Sequence, residues 1–343
     1  MHAIQLEKPL SFRPLELPEP EAPGPGEALV RIHRIGICGT DYSGYLGKMP
    51  FYSYPRIPGH ELGVEVLAIG PGVTEVRPGD RCSVEPYINC QRCYSCRRGL
   101  TNCCEGHLTL GVMCEGGMRE RMILPSRKLH VSRSLSFDQL ALVETLAIGC
   151  HAVDRGHVRA GETVLVIGAG PIGLSAIEFV KAARATCIVM DIDAGRLAFC
   201  KERLGVDRTI LPQGEEDALK TLEALTEGRR ADVVIDATGS SKSMSHALTY
   251  CAFGGRLVFV GITQQDLVFP HAPAMHRREL TLMGSRNALT RDFARIIRLI
   301  EDGTIETGPW ITHRAPFSRL IAEFPTWLKP ETGVIKAMVS LTD

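Results

Sequence analysis

The stretch ETVLVIGAGPIGLSAIEFVKAAR, residues 162–184, decides the fold. ETVLVI is a continuous apolar run of strand length, and it enters a glycine-rich turn. PIGLSAIEFVKAAR then shows helical periodicity. The turn, Gly168-Ala169-Gly170-Pro171-Ile172-Gly173, matches G-x-G-x-x-G in the strand–turn–helix context that gives the pattern meaning. Gly168 permits a tight turn, Gly170 lets the backbone approach a pyrophosphate, and Gly173 lets the helix lie close to the strand. The N-terminus of that helix offers free N–H groups and a favourable dipole to an anion.

Working outward, ATCIVMDID (185–193) is a second buried strand and AGRLAFCKERLG (194–205) a second helix. ADVVIDATG (231–239) and GGRLVFVGI (254–262) continue the series. Alternating buried strands and helices predict a parallel, doubly wound sheet covered on both faces. Asp191 ends the strand 18 residues beyond Gly173, where a carboxylate accepts bonds from ribose hydroxyls and repels a 2′-phosphate. That favours NAD, although Arg196 nearby leaves NADP open. Asp236, Thr238 and Gly239 in VVIDATGS lie at a strand's C-terminal end, where cofactors bind such sheets, and Val260 and Gly261 are further candidates; Asp236 also reads as a loop cap.

Upstream the chain changes character. EALVRIHRIGIC (27–38), ELGVEVLAIG (61–70) and DRCSVEPY (80–87) are strand-like runs broken by GPG, GPGV and RPGD, the mark of a β-rich domain with many turns. Downstream, RDFARIIRLIEDGTI (291–305) reads as a helix and GVIKAMVSL (333–341) as a final strand, so the last segment is expected to return to the first domain. The expected division is 1–147 with 286–343 for the β-rich domain, and 148–285 for the nucleotide-binding one.

Bulk properties exclude several classes. The 343 residues allow two ordinary domains, and 44% hydrophobic content fills real cores. Lys+Arg and Asp+Glu both total 39, so no global basic field draws nucleic acid or an acidic membrane. The start, MHAIQLEKPLSF, lacks the pattern of a secretory signal, and no segment approaches a membrane span; the cytoplasm is the expected location.

Twelve cysteines are unevenly spread. Cys90-x-x-Cys93-x-x-Cys96 and then Cys104 supply four thiolates within fifteen residues, a set suited to a closed tetrahedral Zn²⁺ site. On spacing alone, Cys103 competes with Cys104. A looser set comprises Cys38 in CGTD, His60 in GHE, and Glu144 in LVETLAIG. Sulfur, nitrogen and carboxylate oxygen make a plausible zinc shell with an open fourth position. Taken singly, each is more often structural. The apolar neighbours of Glu144 predict burial, and a buried carboxylate demands a partner. Thr40, two residues from Cys38 and expected on the same strand face, is a candidate proton acceptor.

Together, CGTD (38–41), GHE (59–61), cysteines 90, 93, 96 and 104, the Glu144 segment, GAGPIG (168–173) and Asp191 resemble the zinc-containing medium-chain dehydrogenase family over essentially the whole chain. The resemblance implies a GroES-like β-rich catalytic domain, formed by both ends of the chain, with a Rossmann domain inserted. It implies a catalytic zinc on Cys38, His60 and Glu144, with Glu61 as a transient ligand or a partner of bound water. It implies a structural zinc on Cys90, Cys93, Cys96 and Cys104, and Asp41 accepting a hydrogen bond from the far nitrogen of His60. Ser43 stands where ethanol-type members often carry a relay histidine. Glu at the third ligand position looks like the polyol and sugar-acid enzymes. LGVMCEGGMRER (110–121), HRRELTLMGSRN (276–287) and ITHR (311–314) look like the bacterial sugar-acid branch of the L-gulonate or L-galactonate 5-dehydrogenase type.

The implied reaction is hydride transfer from a secondary hydroxyl of a small polar substrate to NAD, giving a ketone, with Thr40 relaying the hydroxyl proton. Arg286 and Lys336 are candidates for substrate charge, and Lys336 also for the cofactor phosphates. A homotetramer or homodimer is implied. The alternatives are a sorbitol-, diol- or L-threonine-type dehydrogenase and, in another class, a zinc- and nucleotide-binding protein without turnover.

Overall fold

A computed structural model describes residues 1–342. Strand Thr163–Ile167 has four of its five residues buried, because helices cover both faces of the sheet it belongs to. That sheet has six parallel strands, in the spatial order 208–210, 186–190, 163–167, 231–236, 251–259 and 281–284. Numbered along the chain, the order is 3-2-1-4-5-6, the doubly wound arrangement, with its reversal beside strand Thr163–Ile167. The helix Pro171–Ala182 begins at Gly170 with Pro171 in its first turn, a position where proline gives up no needed N–H. A Cβ on Gly173 would stand 1.7 Å from the Gly168 carbonyl oxygen, so only glycine lets this helix pack so close to its strand. Asp193 accepts from the N–H groups of Gly195 and Arg196 and caps the next helix, Ala194–Leu204.

The chain divides into two compact units, Met1–Thr145 with the chain from Leu289 on, and Leu146–Ala288. The second holds the six-stranded sheet. The first is built on a seven-stranded sheet around strand Glu27–Ile37. That strand alternates buried residues, Ala28, Val30 and Ile32, with less buried ones, and pairs antiparallel with Glu61–Ile69, Arg121–Pro125 and Lys336–Ser340. The last pairing, Ala337 opposite Ile37, brings the C-terminal segment back beside the N-terminal strands. Ile32, Ile35, Leu62, Val64 and Leu124 form the core of this unit, each worth about 1.5–3 kcal/mol on burial. Helix Thr290–Glu301 and strand Lys336–Ser340 appear where the sequence predicts them. Among the described residues, no helix is long and apolar enough to cross a membrane.

Candidate metal and cofactor sites

Strand Glu27–Ile37 ends by delivering Cys38 as the cap of a short helix, Gly39–Tyr45. The Cys38 N–H donates to Asp41 Oδ2 at 3.0 Å, which turns the chain into that helix. Thr40 and Ser43 therefore sit on a helix and not on a strand, correcting the expected shared strand face of Cys38 and Thr40. The neighbouring strand starts at Glu61, directly after His60. Gly36 opposes Glu61 across the sheet, and a Cβ there would lie 2.1 Å from Glu61 Oε2; its absence makes room for the carboxylate.

These turns bring ligand atoms of Cys38, His60 and Glu61 within 4.8 Å of one another. His60 is 4% exposed and Glu61 0%. Glu144, on helix Phe137–Arg155, is also buried, but it does not share that 4.8 Å set; its Oε1 accepts a hydrogen bond from the Tyr87 hydroxyl. Burial raises the pKa of Glu144, with His60 opposing and Glu61 adding to the rise. Burial likewise raises Asp41. Burial works against a charge on His60, yet Asp41, Cys38 and Glu144 around it raise its pKa well above the ordinary value.

Lys336, a candidate for substrate charge or for the cofactor phosphates, is 1% exposed, and its ammonium donates to Glu61 at 2.6 and 2.8 Å and to the Ile37 carbonyl at 3.3 Å. An ammonium so desolvated needs a counter-charge, and Glu61 supplies it. Burial opposes its charge, but Glu61 and Cys38 outweigh that and raise its pKa. The expected bond from His60 to Asp41 is not made: Nδ1 and Oδ1 stand 3.8 Å apart, and neither has another partner among the described residues. Asp41 is held instead by the Cys38 N–H through its other oxygen.

The inventory of this pocket is three buried carboxyl groups and a thiol against one lysine and one histidine. Such an excess of buried negative charge calls for a cation. The S, N and O donor set suits zinc.

A second cluster gathers the sulfurs of Cys90, Cys93, Cys96 and Cys104 within 4.8 Å of one another; Cys103 is exposed and outside it. Backbone N–H groups point at these sulfurs: Cys93 at Cys90, Cys96 at Cys93 and Cys90 at Cys104, at 3.2–3.4 Å. Such donors favour thiolates, and those from Arg92 and Cys93 bring Cys90 down to about 6, whereas burial outweighs them at Cys104 and takes it up to about 11. Four thiolates at this spacing fit a tetrahedral zinc ion.

In the other unit, the Gly168–Gly173 turn closes on Asp191. Its Oδ2 accepts from the Ala169 N–H at 2.6 Å and its Oδ1 from the Asp193 N–H at 2.8 Å. Arg196 stands beside the turn, its Nη1 3.3 Å from where a Gly170 Cβ would be. Asp236 is a loop cap, buried and saturated by Thr238 and Ser243. The N–H groups of Val260 and Gly261 both donate to the Asp236 carbonyl. Arg286 is exposed. Sequence reading passed over Tyr87; its only signal is its place two residues after Glu85 in VEPY, at the edge of the cysteine loop.

Comparison with known proteins agrees with this geometry. The profile for the alcohol dehydrogenase GroES-like domain matches residues 24–133, and that for zinc-binding dehydrogenases matches residues 171–302. L-galactonate-5-dehydrogenase of Escherichia coli (strain K12) is 38% identical over 98% of this chain and 97% of its own length. L-arabinitol 4-dehydrogenase of Talaromyces emersonii is 35% identical over 92% of this chain and 85% of its own. A crystal structure from Escherichia coli CFT073, described as a short chain alcohol dehydrogenase (rspB) complexed with NADH, superposes with a TM-score of 0.92 at 28% identity, covering 99% of both chains.

Proposed function

This chain belongs to the zinc-type medium-chain alcohol dehydrogenase family, and from that premise we propose that it oxidises a secondary hydroxyl of a sugar acid, or of a polyol, with NAD. The observation that carries the reading is the meeting of Cys38, His60 and Glu61 donor atoms in a pocket rich in buried carboxylates.

Cys38 and His60 would hold the catalytic zinc with Glu144 as the third ligand and with Glu61, the carboxylate whose ligand atom lies within 4.8 Å of theirs, as a further or exchanging one, and Cys90, Cys93, Cys96 and Cys104 would hold a structural one. Zinc, when bound, supplies Lewis-acid polarisation of the substrate oxygen. NAD, when bound, accepts the hydride. Thr40, two residues from Cys38, takes the hydroxyl proton; Ser43, one helical turn further on, extends the relay outward. In the other unit the N-terminus of helix Pro171–Ala182 binds the pyrophosphate, with Arg196 beside the same turn. Asp191 holds the ribose. Thr238, Val260 and Gly261 border the cofactor at the strand ends.

The sugar-acid preference rests on likeness to the galactonate enzyme, the polyol alternative on likeness to the arabinitol enzyme. A homodimer or homotetramer and a cytoplasmic setting, where thiolate sites stay reduced, belong to the same reading. The test is a panel of aldonates, hexitols, pentitols, 2,3-diols and L-threonine, with NAD and NADP, read as NADH or NADPH absorbance. Turnover confined to an aldonate or polyol with NAD supports the proposal. Turnover of L-threonine alone, or none in zinc-replete protein, overturns it.

A further inference from the structure

Outside the ligand set, Tyr87 is almost wholly buried, its ring edge-on to Phe293 at 6.3 Å and beside His107 at 6.1 Å. Its hydroxyl donates to Oε1 of Glu144. A phenol has a single hydrogen to give, so this bond occupies one carboxylate oxygen and leaves Oε2 for another partner.

The position of that hydroxyl is set by its own surroundings. Two residues before Tyr87, Glu85 is buried and bound to Lys128, His130 and Thr290. Two residues after it, Asn89 is clamped by Arg127, whose Nη1 reaches its Oδ1 at 2.7 Å and Nη2 its carbonyl at 3.0 Å. The strand Tyr87–Ile88 pairs with Leu108–Thr109, so Tyr87 lies at the base that closes the four-cysteine loop. Asn89 Nδ2 also points at Cys96 Sγ, 3.5 Å away. The phenol is therefore fixed by groups that are not themselves ligands of the pocket around Cys38.

We propose that Tyr87 is a positioning residue: its hydroxyl holds Glu144 by one oxygen and so presents the other to the catalytic zinc. This rests on Glu144 being a zinc ligand, as the proposed function has it. Outer partners of this kind typically alter metal affinity or activity by about 10- to 100-fold when removed.

The test is Tyr87→Phe, which deletes the hydroxyl and keeps the ring against Phe293. Zinc affinity is read by competition with a chromogenic chelator, alongside melting of the metal-free protein and the absorption spectrum of the cobalt-substituted one. The expected result is one zinc ion released about 10- to 100-fold more readily, a shifted cobalt spectrum, a lower kcat, an unchanged KM for NAD and an unchanged retention of the four-cysteine zinc. Zinc affinity and cobalt spectrum equal to the parent would overturn the role of Tyr87. If Tyr87→Phe melts early in the metal-free form and binds zinc normally at low temperature, Tyr87 is a packing residue and the proposal fails. Glu144→Gln separates the two levels. If it keeps both zinc ions at parental affinity, the ligand reading falls and Tyr87 falls with it. If it loses one while Tyr87→Phe loses none, only the Tyr87 proposal falls.

Discussion

Lys336 and Glu61, 275 residues apart, form a buried ion pair in which one ammonium faces both oxygens of one carboxylate, at 2.6 and 2.8 Å. The pairing follows from the sheet: Ala337 lies opposite Ile37, and Gly36 lies opposite Glu61, so three strands meet at this spot. The C-terminal strand thus completes a pocket whose other charged groups come from the first half of the chain. Lys336 is also the lysine that shares this pocket with the buried carboxyls of Asp41, Glu61 and Glu144.

Removing that ammonium should be costly. Lys336→Met leaves Glu61 buried without its partner, a loss of about 3–5 kcal/mol for a broken buried pair. Urea denaturation of the metal-free protein measures it. The double variant Glu61→Gln with Lys336→Met should lose less than Lys336→Met alone, because no orphaned charge remains. Equal losses would show that the pair is not coupled.

Glu85 gives a pH signature distinct from the ligand pockets. Burial pushes its pKa up, but bonds from His130 and Lys128 outweigh that and leave it below the ordinary carboxylate value of 4.5. A depressed folded-state pKa means that the native state binds fewer protons, so its contribution is complete above the unfolded value and lost as pH falls through the folded one. Stability should therefore drop on acidification below about pH 4.5, and Glu85→Gln should flatten that limb. Glu85→Gln should also cost about 3–5 kcal/mol at neutral pH by stranding Lys128. Thermal melts from pH 3 to pH 7 on both proteins decide it.

The six-stranded sheet was legible because its signals are local: a buried strand, a glycine turn and a periodic helix adjoin in residues 163–182. The four-cysteine cluster was legible for the same reason. What lies around Cys38 was harder. The site depends on strand pairings between residues 36, 61 and 337, which spacing does not encode. Thr40 was read onto a strand because CGTD follows a β run, and nothing local announces that Asp41 turns the chain into a helix by binding the Cys38 N–H. Lys336 reads as a candidate for substrate charge or for the cofactor phosphates, on a residue type that is usually exposed. Its burial against Glu61 comes from the strand pairing and has no local signal.

The four-cysteine loop offers a sharp contrast between neighbours. Cys104→Ser removes a clustered sulfur and should cost one zinc ion per chain, together with a lower melting temperature, since the loop's polar residues have no core of their own. Cys103→Ser touches an exposed thiol outside the cluster and should leave metal content and melting unchanged. Metal analysis by plasma mass spectrometry on both variants reads the difference, and equal zinc loss in the two would reassign the fourth ligand.

Asp191 links cofactor choice to the integrity of the glycine turn. Its carboxylate accepts the N–H groups of Ala169 and Asp193, so the group that would face a ribose, under the proposed function, is held at the end of strand Thr186–Met190 by the turn that would face the pyrophosphate. Asp191→Ser removes the negative charge, and with it the repulsion of a 2′-phosphate that Arg196 then stands ready to accept. The ratio of kcat/KM for NAD over NADP should fall by about tenfold or more, the equivalent of roughly 1.4 kcal/mol. The lost bond to Ala169 should cost a further 1–3 kcal/mol or so in stability. A cofactor ratio that does not move, in a variant that melts lower, would mean that Asp191 serves the turn alone and that discrimination lies elsewhere.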